Sequence, residues 1–424
     1  MALIILCVCF LVLLLIGVPV AFAIGLSAVA TILYEGLPLA VVFQRMSSGM
    51  NIFSFLAIPF FIFAGELMLY SGVADRIVSF ARNLVGHIRG GLGIVAIMAA
   101  VIMASISGSA AADTAALAAI LIPMMAKAGY NVPRSGGLIA AGGIIAPIIP
   151  PSMAFIVFGV AANVSITQLF LAGIFPGILM GVALVIAWLI VVRKDNVQPL
   201  PKASTGERLR VTGRAAWALG MPVIILGGIK AGIMTPTEAA VVAAAYALFV
   251  GMVIYRELKP SHLPHVILQA AKTTSVIMFL VAAALVSSWL ITAANIPAEI
   301  VGYIEPLIDR PMLLMFAIMI LVLVVGTALD LTPTILILTP VLMPIVKQAG
   351  IDPVYFGVLF IMNKSIGLIT PPVGVVLNVV SGVARIPLGK VTAGVWPFLI
   401  AEAIVLFLLV LFPDLVLVPA RWLH

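Results

Sequence analysis

The chain has 424 residues, 64% of them hydrophobic and 9% charged, so apolar segments dominate from end to end and a water-soluble globule is excluded. The formal net charge of +7 is no sign of nucleic acid: 16 of the 22 Lys and Arg fall in residues 72–90, 127–134, 193–214, 256–272 and 385–390, the loops that the positive-inside rule makes cytoplasmic. Four scattered histidines and the lack of a GxxxxGK[ST] phosphate loop leave no histidine metal cluster and no ATP hydrolysis.

No Lys or Arg precedes Arg45, so the opening "LIILCVCFLVLLLI" reads as a retained helix rather than a signal peptide. Cys7 and Cys9 within it read as packed thiols. After a "GVP" break come a helix over 20–34, an amphipathic connector over 37–50 and a helix over 53–71, then a polar arm, "ADRIVSFARNLVGHIRGG". The apolar stretch from Leu92 to Met125 carries "SISGSAAAD" at its middle, too small and polar for lipid, which predicts two half-helices folded back as a re-entrant hairpin. From Gly136 to Gly159 the centre is "APIIPPS", where Pro147, Pro150 and Pro151 remove amide donors and break the span in two.

The second half repeats this order: helices near 215–229 and 237–254, a connector, a helix over 270–292, and an arm, "IPAEIVGYIEPLIDRP". An interrupted stretch over 312–346 and a broken span over 354–380 centred on "SIGLITPPVG" follow. Tyr34 and Tyr255, Gly129 and Gly350, and the Pro-Pro pairs at 150–151 and 371–372 are each 221 residues apart, the mark of an internal repeat. The first arm is basic, whereas the second carries Glu299, Glu305 and Asp309, so the two repeats point in opposite directions. The expected fold is an all-α polytopic membrane protein of two inverted-topology repeats, each with a re-entrant helical hairpin and a broken transmembrane helix. Ten full spans would leave both termini external. The boundaries are a scaffold and arm over 1–91, a transport region over 92–160, a linking helix and basic loop over 161–214, the second scaffold and arm over 215–311, the second transport region over 312–392 and a last helix over 393–424.

Inverted repeats with broken helices in matching places point to a secondary transporter whose site lies near the bilayer midplane. Hairpin tips and unwound segments leave carbonyls without helical partners, and sodium ions satisfy such oxygens, with Ser and Thr hydroxyls as further hard ligands. The sodium candidates are Ser105 and Ser107 facing the carbonyls of Gly142, Ile145 and Pro147, and Thr327 and Asp330 facing Asn363, Ile366 and Thr370. Each intramembrane charge is a functional candidate, since burial at the bilayer centre costs roughly 2.5 kcal/mol or more. Asp113 and Asp330 follow the tips, where a carboxylate can cap a half-helix. Ser109, Asp113 and Lys364 are the candidates to meet substrate, with Lys364 paired either to a substrate carboxylate or to one of the aspartates. Glu66 and Glu402 read as buried hydrogen-bonding links and Glu238 as a structural early-turn acid. Ser105, Ser107 and Asp113 would also suit an intramembrane serine-dependent enzyme, but no His or Lys lies near them in sequence to activate a serine. A passive channel needs a continuous polar path rather than two isolated clusters.

"LAIPFFIFAGELM", "SISGSAAADTAALAAILIP", "GGIIAPIIPPS", "GIMTPTEAA", "LDLTPTILILTPVLMP" and "GLITPPVGVVLNVVSGVA" resemble the large membrane subunit of tripartite ATP-independent periplasmic (TRAP) transporters. The resemblance covers nearly the whole chain. It implies sodium-driven carboxylate uptake across the bacterial inner membrane, a soluble periplasmic substrate-binding protein, a small four-helix membrane subunit, and an elevator movement of the hairpin-bearing domain. It implies no cofactor beyond sodium as coupling ion. Where many dicarboxylate-type members carry hydroxyl residues before their "GPIIPPS", this chain has Gly142-Gly143-Ile144-Ile145-Ala146. That resembles the sugar-acid branch, for sialic acid or diketogulonate, with a four-carbon dicarboxylate as the alternative. No four extra helices precede the first repeat, so the small subunit is expected as a separate chain.

Overall fold

The computed structural model describes residues 2–195, 197, 199–294 and 307–423. Glu299 and Glu305 of the second arm lie outside the described residues. Among the described residues every regular element is helical, and eight helices are long and apolar enough to cross a membrane. Leu15, Ile190, Val223 and Ile404 stand exposed on outward faces, as lipid-facing side chains do.

The two transport regions match element for element. In the first, Gly91–Ser107 and Ala110–Lys127 form the hairpin, and Val132–Gly143 and Met153–Ala162 form the broken span. In the second these are Pro311–Ala328 with Leu331–Gln348, and Pro353–Gly367 with Val375–Ala384. Local chemistry explains the shared boundaries. Gly129 and Gly350 sit at φ 83° and 70°, the left-handed conformation that glycine adopts without steric cost and that ends a helix. The amides of Tyr130 and Ile351 then reach back 3.0 Å to the carbonyls of Met125 and Val346. Asn131 and Asp352 start the next helix by accepting Arg134 N at 3.0 Å and Val354 N at 2.8 Å, and a proline follows within the first turn of each. The helices stop before the Pro150–Pro151 and Pro371–Pro372 pairs, which are cis in both repeats.

The repeats interlock. The second arm of the first hairpin packs on Val375–Ala384, and that of the second hairpin on Met153–Ala162. Around them, the linking helix Ile166–Val191 and the late helix Leu388–Leu411 pack together, and the latter lies along Val132–Gly143. That last contact is backbone to backbone: a Cβ on Gly137 would stand 2.5 Å from the carbonyl carbon of Gly394. Trp188, fully buried, donates its indole N–H to Gly90 O at 2.8 Å and stacks on Tyr130, tying the linking helix to the mouth of the first hairpin. The scaffold is built from Val20–Tyr34, Ala57–Tyr70, Pro236–Phe249 and Leu263–Ala293. Thr235 and Glu238 close a capping box at the start of Pro236–Phe249, with Glu238 carboxylate accepting Thr235 N at 2.7 Å, so Glu238 is the structural acid expected.

Three elements differ from expectation. In the second half, connector and helix merge into one 31-residue helix, Leu263–Ala293, because nothing after Pro264 interrupts it, whereas Ala40–Met50 in the first half ends at Asn51, whose ψ of 29° leaves the helix. The helix expected from 215 begins at Thr205, where Ser204 caps Glu207 N. A further helix, Asp414–Leu423, follows Pro413.

Candidate ion and substrate site

At the first tip, Ser107 ends one helix, Gly108 turns the chain at φ 63°, and Ser109 starts the next by accepting Ala112 N at 3.4 Å. The tip meets its own repeat's break: a Cβ on Gly108 would run into the carbonyl of Pro151. It also meets the scaffold, where a Cβ on Gly65 would lie 3.9 Å from Ser107. Ser105 donates to Ile102 O at 2.6 Å, which leaves its oxygen as an acceptor. Ser107 accepts Ser109 N at 3.1 Å and donates to Asp113 Oδ1 at 2.5 Å.

Asp113 is therefore not a cap. It lies one turn into the helix, 1% exposed, with Oδ1 held by Ser107 and Oδ2 lacking any hydrogen-bond partner among the described residues. Beside it in sequence, Thr114 is fully buried with Oγ1 likewise unpartnered, set against Gly143, where no Cβ would fit. Asp113 Oδ2 and Thr114 Oγ1 are both buried oxygens without hydrogen-bond partners among the described residues, one of them on a carboxylate, and such groups are costly to bury alone.

The first break is not a run of bare carbonyls. Gly142 O accepts Ile145 N at 3.2 Å, Ile145 O accepts both Ile148 N and Ile149 N, and Pro147 O accepts Ser152 Oγ at 2.5 Å. Successive tight turns have replaced the helical bonds, so Ile145 O already has two amides directed at it. In the second break Ile366 O is similarly occupied by Ile369 N at 3.1 Å and Thr370 Oγ1 at 2.8 Å. Thr327 donates to Val324 O at 2.8 Å. Asp330, exposed, caps Leu331 N at 2.8 Å, so the position equivalent to Asp330 in the first repeat is Ser109, and the two aspartates are not counterparts. Asn363 donates to Met319 O at 2.5 Å, with Oδ1 buried and without a hydrogen-bond partner among the described residues. Lys364, with 0% exposure, donates to the carbonyls of Gly326 at 2.6 Å and of Leu329. It makes no contact ion pair with either aspartate, although Asp330 lies near enough to act on it through space; the two ion pairs among the described residues are Arg76–Glu257 and Arg134–Asp195, both elsewhere. Glu402 is buried with neither carboxylate oxygen hydrogen-bonded among the described residues, so it does not make the link expected of it.

Residues 7–415 match the family described as "Tripartite ATP-independent periplasmic transporter, DctM component". The chain belongs to the TRAP large-permease family. It is 52% identical over 410 residues to the 2,3-diketo-L-gulonate TRAP transporter large permease protein YiaN of Escherichia coli, covering 96% of each chain. It is 40% identical over 402 residues to the sialic acid TRAP transporter large permease protein SiaM of Vibrio cholerae, covering 95% of this chain and 94% of that one. The YdaH transporter of Alcanivorax borkumensis has a similar fold, with TM-score 0.62 over 88% of each chain at 15% identity. The permease is a transporter component and not an enzyme.

Two features of the permease's first half escaped the sequence reading. Thr114 sits mid-helix, where a threonine reads as packing, and only the approach of Gly143 isolates its hydroxyl. Gly65 reads as a small helix residue, and its place against the tip follows from the docking of the scaffold.

Proposed function

We propose that this permease carries out sodium-coupled uptake of a carboxylate, with several hydroxyls, across the bacterial inner membrane. The observation that carries it is Asp113: a carboxylate buried in the first hairpin, one oxygen held by Ser107 and the other without a hydrogen-bond partner among the described residues. In a low-dielectric site an ionised carboxylate needs a cation, and a sodium ion supplies it, with the hydroxyl oxygens of Ser105 and Thr114 as the further ligands this reading assigns. The substrate is a sugar acid, in keeping with relatives named for diketogulonate and sialic acid. Its partners are a small four-helix membrane subunit and a periplasmic binding protein that delivers substrate, and both termini lie on the periplasmic side. Transport is by an elevator movement, in which the interlocked hairpins and broken spans slide on the scaffold. Support for that comes from the tip itself, where the scaffold meets Ser107 through Gly65, a residue with no side chain.

The test is uptake into proteoliposomes containing both membrane subunits, with binding protein outside. Accumulation should require an inward sodium gradient and ignore ATP; accumulation driven by potassium alone sinks the sodium reading. Competition run on substrate release as well as on whole uptake should favour a polyhydroxy monocarboxylate over succinate, and preferred succinate transport returns the permease to the dicarboxylate alternative.

A further inference from the structure

We propose that the ammonium of Lys364 is the resident cation of the second half of the site, so that this half takes no sodium ion and all coupling sodium binds in the first half. The proposal rests on the sodium reading above and concerns where, and how many, ions bind.

The Lys364 stem runs past Gly326, whose absent side chain makes room: a Cβ there would lie 3.3 Å from Lys364 Cδ. Its Nζ then donates to Gly326 O and Leu329 O. Gly326 lies in the last turn of Pro311–Ala328, where carbonyls have no amide partner within the helix and the helix dipole is negative. Hard oxygens at a helix end in a buried, low-dielectric setting are where a cation belongs, and in this half a covalently attached one is there.

The repeat supplies the comparison. At the 221-residue spacing, Gly326, Leu329 and Lys364 correspond to Ser105, Gly108 and Gly143. Among the described residues no side chain donates to the carbonyl of Ser105 or Gly108, and glycine stands where the lysine would be. The same half buries Asp113 Oδ2 and Thr114 Oγ1 without hydrogen-bond partners among the described residues. In the second half the position of Asp113 is taken by Thr334, whose hydroxyl is used on Asp330 O at 2.8 Å. One half thus carries a buried acid and no base, and the other a buried base whose nearest acid, Asp330, is exposed and caps Leu331 N. A sodium ion at the lysine's carbonyls would face a like charge within bonding distance of the same oxygens. The unpartnered Asn363 Oδ1 does not offer an alternative position, because its amide is anchored at Met319, about two helical turns or ~10 Å from Gly326.

The experiment is equilibrium binding of radioactive sodium to the purified complex of both membrane subunits, with sodium titration of uptake in proteoliposomes. Relative to wild type, Lys364→Gln should bind one additional sodium and raise the Hill coefficient of uptake for sodium, while Lys364→Arg keeps the wild-type count. In wild-type Lys364 background, Asp113→Asn should abolish saturable sodium binding, which tests the proposal even where Lys364→Gln does not fold. Equal, non-zero counts in folded wild type and Lys364→Gln, or a saturable site surviving in Asp113→Asn, overturn the proposal and leave sodium coupling standing. No sodium binding in any of them overturns the sodium reading and this proposal with it.

Discussion

Ser107→Ala removes the hydrogen bond that, among the described residues, alone holds the buried carboxylate of Asp113. The lost contact, Oγ to Oδ1 at 2.5 Å, is charge-assisted, and the same hydroxyl oxygen is the acceptor for Ser109 N at 3.1 Å. Hydrogen bonds to charged groups contribute about 1.5–3 kcal/mol. The substitution leaves both carboxylate oxygens without a protein donor and frees Asp113 to turn away from the tip. With tenfold in affinity per about 1.4 kcal/mol, the sodium concentration for half-maximal uptake should rise by about one to two orders of magnitude. The loss of the Ser109 N acceptor adds a structural cost at the tip, so the variant is first checked by size-exclusion profile and apparent melting temperature of the detergent-purified complex. A folded variant whose sodium half-saturation stays within about twofold of wild type would show that the Ser107–Asp113 pair does not order an ion site.

Ser105→Ala should weaken sodium less than Ser107→Ala, because the Ser105 hydroxyl spends its proton on Ile102 O and can offer only an oxygen; the same titration ranks the two. Gly137→Val should lower the apparent melting temperature without moving sodium half-saturation, since the new atoms meet the Gly394 backbone, which cannot rotate away; overpacking of this kind costs about 1–3 kcal/mol. Trp188→Phe removes the 2.8 Å indole donor from Gly90 O, which keeps Gly93 N at 3.0 Å, and empties part of the fully buried indole volume, a cost of about 1–3 kcal/mol, read as a lower melting temperature with substrate competition unchanged.

The features legible in the sequence are those whose physics is local. Pro150-Pro151 and Pro371-Pro372 break a helix wherever they stand, Gly129 and Gly350 stop one, and Asn131 and Asp352 start the next. The repeated spacing of these signals gave the inverted halves, and charged loops the membrane topology expected of them. Composition alone required apolar spans, and the described helices supply them. Pairing across elements was not legible. Asp113 and Asp330 look equivalent in sequence, each a lone acid after a small-residue tip, yet one is a buried ligand to Ser107 and the other an exposed cap, because they stand one helical turn apart relative to the tip. Lys364 could have met a carboxylate; it meets two carbonyls because Gly326 and Gly367 let the second hairpin approach the break closely. Glu402 could have found a partner and has none among the described residues. Which oxygen ends without a donor depends on how two helices from distant parts of the chain come to rest against each other, and that is decided by packing of small residues over many contacts rather than by any short stretch of sequence.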